Sequence, residues 1–379
     1  MSSRQVPALN RCVALIAALA LASCATSPVT PSPPAAVGPD LAASSPVAIA
    51  PLTVTPSPSA GSSLDTSPSL PILPDSIADL TGETTDPALA HRLPLAVLLD
   101  DNRVARPQSG FNSASLVYQA PADGGETRYM LVYGEGDSAE IGPVRSGRIY
   151  FVHWASEIEA AIGHYGGDRL TRAYLEAHDH ERFTDIDALA KGAKAFHRVK
   201  GRTAPHNGYT STTALRAMAV KLGGPPSMSA ELYRRTFVAP GDPSALAVTQ
   251  HIRIPYRTGL VEYRFDRATD LYQRILDGRP QVDAADDRPV TTRNVVVLFM
   301  SFRTDTRIEP GHSRPVVGAI GTGRALVFCE GRLVEGRWSK LDETAPTRLL
   351  DATGAEIPLV IGRTFFQIVP DGTAVRAGA

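Results

Sequence analysis

A chain of 379 residues, 43% hydrophobic and 20% charged, is long enough to bury cores in more than one domain. Its 38 Lys and Arg stand against 39 Asp and Glu, a formal net charge of −1, which excludes the basic footprint of a nucleic-acid binder. Two of the three cysteines, Cys12 and Cys24, lie at the extreme N-terminus and the third is Cys329, so a disulfide framework is excluded as well.

Arg4 and Arg11 precede an apolar run at residues 13–22 that ends in "LASC", residues 21–24. Such a run is far short of the roughly twenty apolar residues needed to span a bilayer, so it reads as the core of a secretory signal. The small residues ahead of Cys24 resemble a bacterial lipobox. That resemblance implies that Cys24 receives a diacylglycerol and becomes the first mature residue, anchoring the chain to the membrane on its extracytoplasmic side. Loss of Arg4 and Arg11 with the signal leaves 36 basic against 39 acidic residues.

Residues 24–89 are rich in Pro, Ser, Thr and Ala, as in "TSPVTPSPPAAVGPD", and cannot bury enough apolar surface to offset their ordering entropy. They read as a disordered tether. Beyond them the pattern predicts an α+β protein: an N-terminal α/β domain over residues 90–240, then a smaller, mostly antiparallel β domain over residues 245–373. In the first, "RLPLAVLLDD", "ASLVYQAP", "TRYMLVYGE" and "AAIGHYGG" read as strands, and "RLTRAYLEAH" and "STTALRAMAVKLG" as helices. In the second, strands are predicted in "AVTQHIRIPY", "LVEYRFDRATDLYQRIL", "TRNVVVLFMSFR", "RALVFCEGRLVEGRWSK" and "RTFFQIVP", with Cys329 in a strand as a small hydrophobe.

Three stretches carry candidate chemistry. In "AEIGPVRSGRIYF", residues 139–151, Pro143 suits a first helical position, which would put Arg145 and Arg148 side by side on the first turns. Cations there oppose the helix dipole, so an anion should accompany them. A ligand carboxylate or phosphate would serve, and so would an internal acid such as Asp101 or Asp168. In "IGHYGGDRL", His164 stands at the carboxyl end of a strand, and Asp168 is placed to cap the next helix. In "FHRVKGRTAPHNGYTST", a basic loop with His206 and Asn207 leads into a helix start capped by Ser211 or Thr212.

These motifs, together with "PLAVLLDDNRVARPQSGFNSASLVYQAPADGGETRYMLVY", "DLYQRILDG" and "GTGRALVFCEGRLVEGRWSK", resemble the YerB-like bacterial lipoproteins, a two-domain family without an assigned reaction. The resemblance covers nearly everything after residue 90 and implies an exported lipoprotein with that plan. Asp101, Asn102 and Arg128 stand with Arg145, Arg148, His164, Asp168, His206 and Asn207 as candidate ligand-binding residues.

Two functional classes follow. One is a non-catalytic envelope protein that binds an anionic ligand, such as a glycan or wall polymer, through Arg145, Arg148 and the His206 loop. The other is an envelope hydrolase or transferase, with His164 or His206 as acid/base and the two arginines stabilising an oxyanion. No nucleophile signature is present to decide for the second. A metal set of His164, Asp168 and His206 matches no standard ligand spacing, and no cofactor is expected.

Overall fold

The computed structural model describes residues 76–229, 232, 234–241 and 249–378. The signal segment, Cys24 and the tether up to residue 75 lie outside the described residues.

The fold is α+β, built around one ten-stranded mixed sheet. The N-terminal half supplies β1 (Leu95–Asp100), β2 (Leu116–Pro121), β3 (Thr127–Tyr133), β4 (Ala161–His164) and β5 (Thr184–Asp187). Beside β2 lies Thr364–Pro370, then Asn294–Met300, Gly321–Cys329, Arg332–Lys340 and Arg348–Leu350; beyond β2 on the other side the order is β3, β1, β4, β5. The two halves of the sequence therefore share one hydrogen-bonded sheet, joined where Val117 pairs with Phe365.

Pairing is parallel at that junction, between Thr364–Pro370 and Asn294–Met300, and along β1, β4 and β5. A mostly antiparallel C-terminal half is the expectation from sequence, and the remaining pairs of that half in this sheet are antiparallel. Asn294–Met300, one of the two parallel neighbours, is buried along its whole length, the continuous apolar run of a strand covered on both faces. Because β3 runs antiparallel to both β1 and β2, strands β1, β2, β4, β5, Asn294–Met300 and Thr364–Pro370 all end at the same edge of the sheet.

After the short α1 (Pro87–Ala90), one face of the sheet is covered by α2 (Ile149–Ser156) and α3 (Arg169–His178). Tyr150, Phe151, Trp154 and Leu175 pack there with Ala96, Leu98, Val296, Leu298 and Phe366. The other face carries α4 (Thr212–Lys221) and a second antiparallel sheet that includes His251–Tyr256, Gly259–Asp266 and Leu271–Leu276. Leu215 and Met218 of α4 and Ile254 and Tyr263 of the second sheet share a core with Leu95, Val97, Leu99 and Phe365. Alternate residues of β1 thus enter opposite cores, as the two-residue period of a strand requires.

The folded body begins earlier than residue 90. Ala78 and Thr81 are fully buried and Leu80 nearly so; Asp79 pairs with His91 at 3.0 Å and with Arg234. Residues 76–89 have too few apolar positions to display a period, which is why they read as the end of the tether.

Candidate functional site

The expected helix start at Pro143 is corrected by the structure. Arg145 N donates to Leu98 O at 2.7 Å, Tyr165 N donates to Arg145 O at 3.1 Å, and Val144 bridges Leu99. Residues 143–147 are thereby drawn out between the ends of β1 and β4, where these backbone bonds outcompete a helical turn. The helix begins at Ile149, with Arg148 as its N-cap residue in extended conformation. Arg145 and Arg148 consequently do not sit on one helical face, and they go to different acids.

Arg145 goes to the last residue of β1. Its Nε lies 3.1 Å from Asp100 Oδ2, and the same oxygen accepts from His206 Nδ1 at 2.6 Å. Asp100 is almost fully buried, while the side chains of Arg145 and His206 are 26% and 17% exposed. With Nδ1 donating to Asp100, the Nε2 side of His206 is turned away from the acid that orients it. Beside them, the Arg198 guanidinium lies 5.2 Å from the Tyr165 ring centroid, and Arg198 Nη1 donates to Asn207 Oδ1 at 2.5 Å. Asn207 in turn donates to Arg202 O, which closes the basic loop on itself.

Arg148 goes inward. Its side chain is 3% exposed, its Nη2 is paired with Asp123, and its Nε lies 3.5 Å from Asp168 Oδ2. Asp123 also holds Arg128 at 3.0 Å and, from the strand His312–Val317, Arg314 at 3.1 Å. Burial alone would raise the Asp123 carboxyl, but Arg148 and then Arg128 hold it below the usual carboxylate range. Burial, with Arg148 alongside, pushes the Arg128 guanidinium down to about 10. Further bonds from Arg128 Nη1 to Ser146 O and Oγ tie this cluster to the segment that carries Arg145.

The other predicted residues have internal duties. Asp168 caps α3, accepting from Thr171 N at 2.9 Å and Thr171 Oγ1 at 3.0 Å. Asp101 is not the partner of either Arg145 or Arg148; it takes Arg106 at 2.9 Å, Gln119 at 3.0 Å and the Thr127 hydroxyl. Asn102 caps the short turn Arg103–Ala105 and donates to Glu126 at 2.7 Å. Ser211 caps α4. The Cys329 thiol is pushed up to about 11 by burial, so it stays protonated and is no nucleophile at neutral pH.

His164, weighed as an acid/base, is fully enclosed. Its Nδ1 faces Gly166 O at 2.8 Å and its Nε2 faces Asp185 Oδ1 at 2.6 Å. Both neighbours are acceptors, a setting that favours the doubly protonated ring. Burial opposes that charge, yet the hydrogen bond and charge of Asp185, with Asp187 behind it, raise the His164 pKa. A raised folded-state value means that the stabilisation is fully present below about pH 6.5 and is lost as pH rises through the folded pKa. Denaturant unfolding across that range is expected to show wild-type stability declining above pH 6.5, with the decline absent in His164→Gln; parallel curves would remove the cationic clamp. The weighed metal set of His164, Asp168 and His206 is likewise divided among Asp185, Thr171 and Asp100.

What the fold brings together is therefore Arg145 and His206 around Asp100, and separately Arg128 and Arg148 around Asp123, while Asn207 holds Arg198 and the backbone of Arg202. Asp100, Asp123 and Arg314 were absent from the residues selected by sequence. Asp100 stands directly beside the selected Asp101, but Asp123 and Arg314 are 191 positions apart and share no local pattern.

Residues 80–224 match the family model "Protein of unknown function (DUF3048) N-terminal domain", and residues 252–366 match the corresponding C-terminal domain. The protein named "Putative lipoprotein YerB" of Bacillus subtilis is 29% identical over 310 residues, covering 78% of this chain and 86% of that protein. The crystal structure of YerB protein from Bacillus subtilis superposes with a TM-score of 0.71 at 27% identity, covering 80% of this chain and 99% of that one.

Proposed function

The chain belongs to the DUF3048 family, and on that premise we propose that it is an exported protein, lipid-anchored through Cys24 to the outer side of a bacterial membrane, that binds an anionic envelope ligand such as a phosphate-bearing glycan or wall polymer. The anchor rests on the "LASC" stretch and on likeness to a protein named as a lipoprotein. The ligand rests on one observation: Asp100 orients two partly exposed donors, Arg145 and His206, at the edge where the parallel strands end. In open sheets with helices, that edge is where ligands collect. A guanidinium and an outward-facing imidazole with one shared buried acid are suited to a phosphate or carboxylate.

Arg148 is given no ligand in this reading, because Asp123 and Asp168 already occupy it. The cleanest test is residue-specific. Addition of pyrophosphate to the full chain should shift the His206 ring resonances and leave those of His164 in place. Unmoved His206 signals at saturating anion would sink the ligand half of the proposal. Release of Cys24→Ala from the membrane fraction, with the unaltered chain retained after a high-salt wash, tests the anchor half.

A second reading as an envelope hydrolase or transferase draws on the 2.6 Å Asp100–His206 bond, which orients an imidazole as a general base is oriented. His206 then carries the proton and Arg145 faces the oxyanion, while His164 takes no part. Turnover of an ester or phosphoester substrate that His206→Gln abolishes would favour it over binding alone.

A further inference from the structure

Two cavities of ligand size open at opposite ends of the large sheet's parallel strands. The one of about 650 Å³, at the starts of β2 and Thr364–Pro370, contains several charges that are already engaged. Glu135 accepts from Thr81 and Ser115, and Arg363 donates to Asn112 O and Thr291. The other, of about 550 Å³, lies at the strand ends, where β2 finishes at Pro121 and its neighbour at Pro370.

We propose that this second cavity binds a small ligand in which a compact apolar body carries a single carboxylate. Its walls are largely apolar, with Pro121, Pro255, Tyr256, Phe302 and Pro370. Its lining holds no acid and one cation, Arg257, which makes no hydrogen bond or ion pair among the described residues. Apolar walls with one convergent charge are the usual make-up of a small-molecule site of 300–1,000 Å³, in round figures. Thr304 and Ser313, on the same face of the hairpin Phe302–Glu309 and His312–Val317, add hydroxyls at the rim.

The Arg257 side chain lies against the loop that follows β2. Gly125 sits at φ +81°, and a Cβ there would come 2.5 Å from Arg257 Cδ and 2.9 Å from Nη1. The positive φ favours glycine there, and the end of the exposed Arg257 side chain passes close over it. The loop that provides it is fixed one step earlier by Asp123, in the grip of Arg128, Arg148 and Arg314. The buried arginine cluster thus positions a cavity wall, a duty separate from the Arg145–His206 edge.

Calorimetric titration of the full chain with phenylbutyrate, and with phenylbutanol as its neutral counterpart, tests the assignment. The carboxylate should bind at least about tenfold more tightly than the alcohol, a difference of about 1.4 kcal/mol. Arg257→Gln should erase that preference, and Thr304→Trp, which fills the cavity, should remove binding of both. Ser313→Phe, on the same wall, replaces Thr304→Trp if the latter fails to fold. The preference for the carboxylate should persist in Arg145→Gln, so that failure here is separable from failure of the anion edge. Equal affinity for the two probes, a preference that survives Arg257→Gln, or no binding of either at about 1 mM would overturn the proposal.

Discussion

Lys340→Met is expected to lower the folding free energy by about 3–5 kcal/mol, the cost of leaving a buried charge without its partner. Lys340 is fully buried; its Nζ lies 2.9 Å from Glu157 Oε1 and also donates to Ala345 O. Glu157, at the end of α2, is held in turn by Thr347 N at 3.0 Å and Thr347 Oγ1 at 2.6 Å. The pair therefore joins a helix of the N-terminal half to strands of the C-terminal half. Methionine removes the cation and strands the carboxylate. Adding Glu157→Gln to the same chain should restore most of the loss, because the neutral amide can still accept from Thr347 while the uncompensated charge is gone. Denaturant unfolding of the two single variants and the double variant measures this. Additive losses would show that the two side chains do not act as a pair.

Arg148→Gln is expected to cost about 3 kcal/mol, whereas Arg145→Gln should change stability by less than about 1 kcal/mol. The two residues are three apart in sequence and carry the same charge, so only their surroundings can separate them. Arg148 is buried between Asp123 and Asp168, and its loss leaves Asp168, 5% exposed, without its guanidinium. Asp123 keeps Arg128 and Arg314, which holds the expected cost at the lower end for a broken buried pair. Arg145 is partly solvated, and Asp100 retains His206 and the backbone N–H of Asn102 when it is removed. Equal losses from both substitutions would show that the arginines share one role.

Much of the fold was legible because the residues that form it obey short-range rules. β1, β2 and β3 read as apolar runs, and Asp168 and Ser211 read as helix caps from their position alone. β5 was missed because Thr-Asp-Ile-Asp buries only alternate residues and carries two acids, one for His164 and one for the Gly166 backbone. The hairpin Phe302–Glu309 and His312–Val317 was missed because its arginines and acids hide any apolar alternation. Nor could local pattern reveal that Thr364–Pro370 inserts between Asn294–Met300 and β2, since strand order is settled by pairings between segments far apart in sequence.

The site was legible to the same degree. That an acid would accompany each arginine follows from electrostatics, and Asp168 was rightly among those named. The choice of Asp100 over Asp101 depended on which of two adjacent strand-end carboxylates faces the segment at residues 143–147. Neighbours on a strand face opposite ways, so the alternation was readable, but its phase was not. Asp123 became a partner only because a loop after β2 and a C-terminal hairpin meet at the same sheet edge.

The proposal's central claim is that Arg145 serves an outside anion and Arg148 an inside one. The most direct measurement is the melting temperature of the full chain, of Arg145→Gln and of Arg148→Gln, each over a range of pyrophosphate concentrations at constant ionic strength. A ligand that binds only the folded state raises stability by RT ln(1 + [L]/Kd), so the unaltered chain should melt at progressively higher temperature. Arg148→Gln should start lower and rise in parallel, and Arg145→Gln should start near the unaltered chain and stay flat. A flat line for the unaltered chain, or an equal rise in Arg145→Gln, would contradict the claim and leave Arg145 as a structural partner of Asp100.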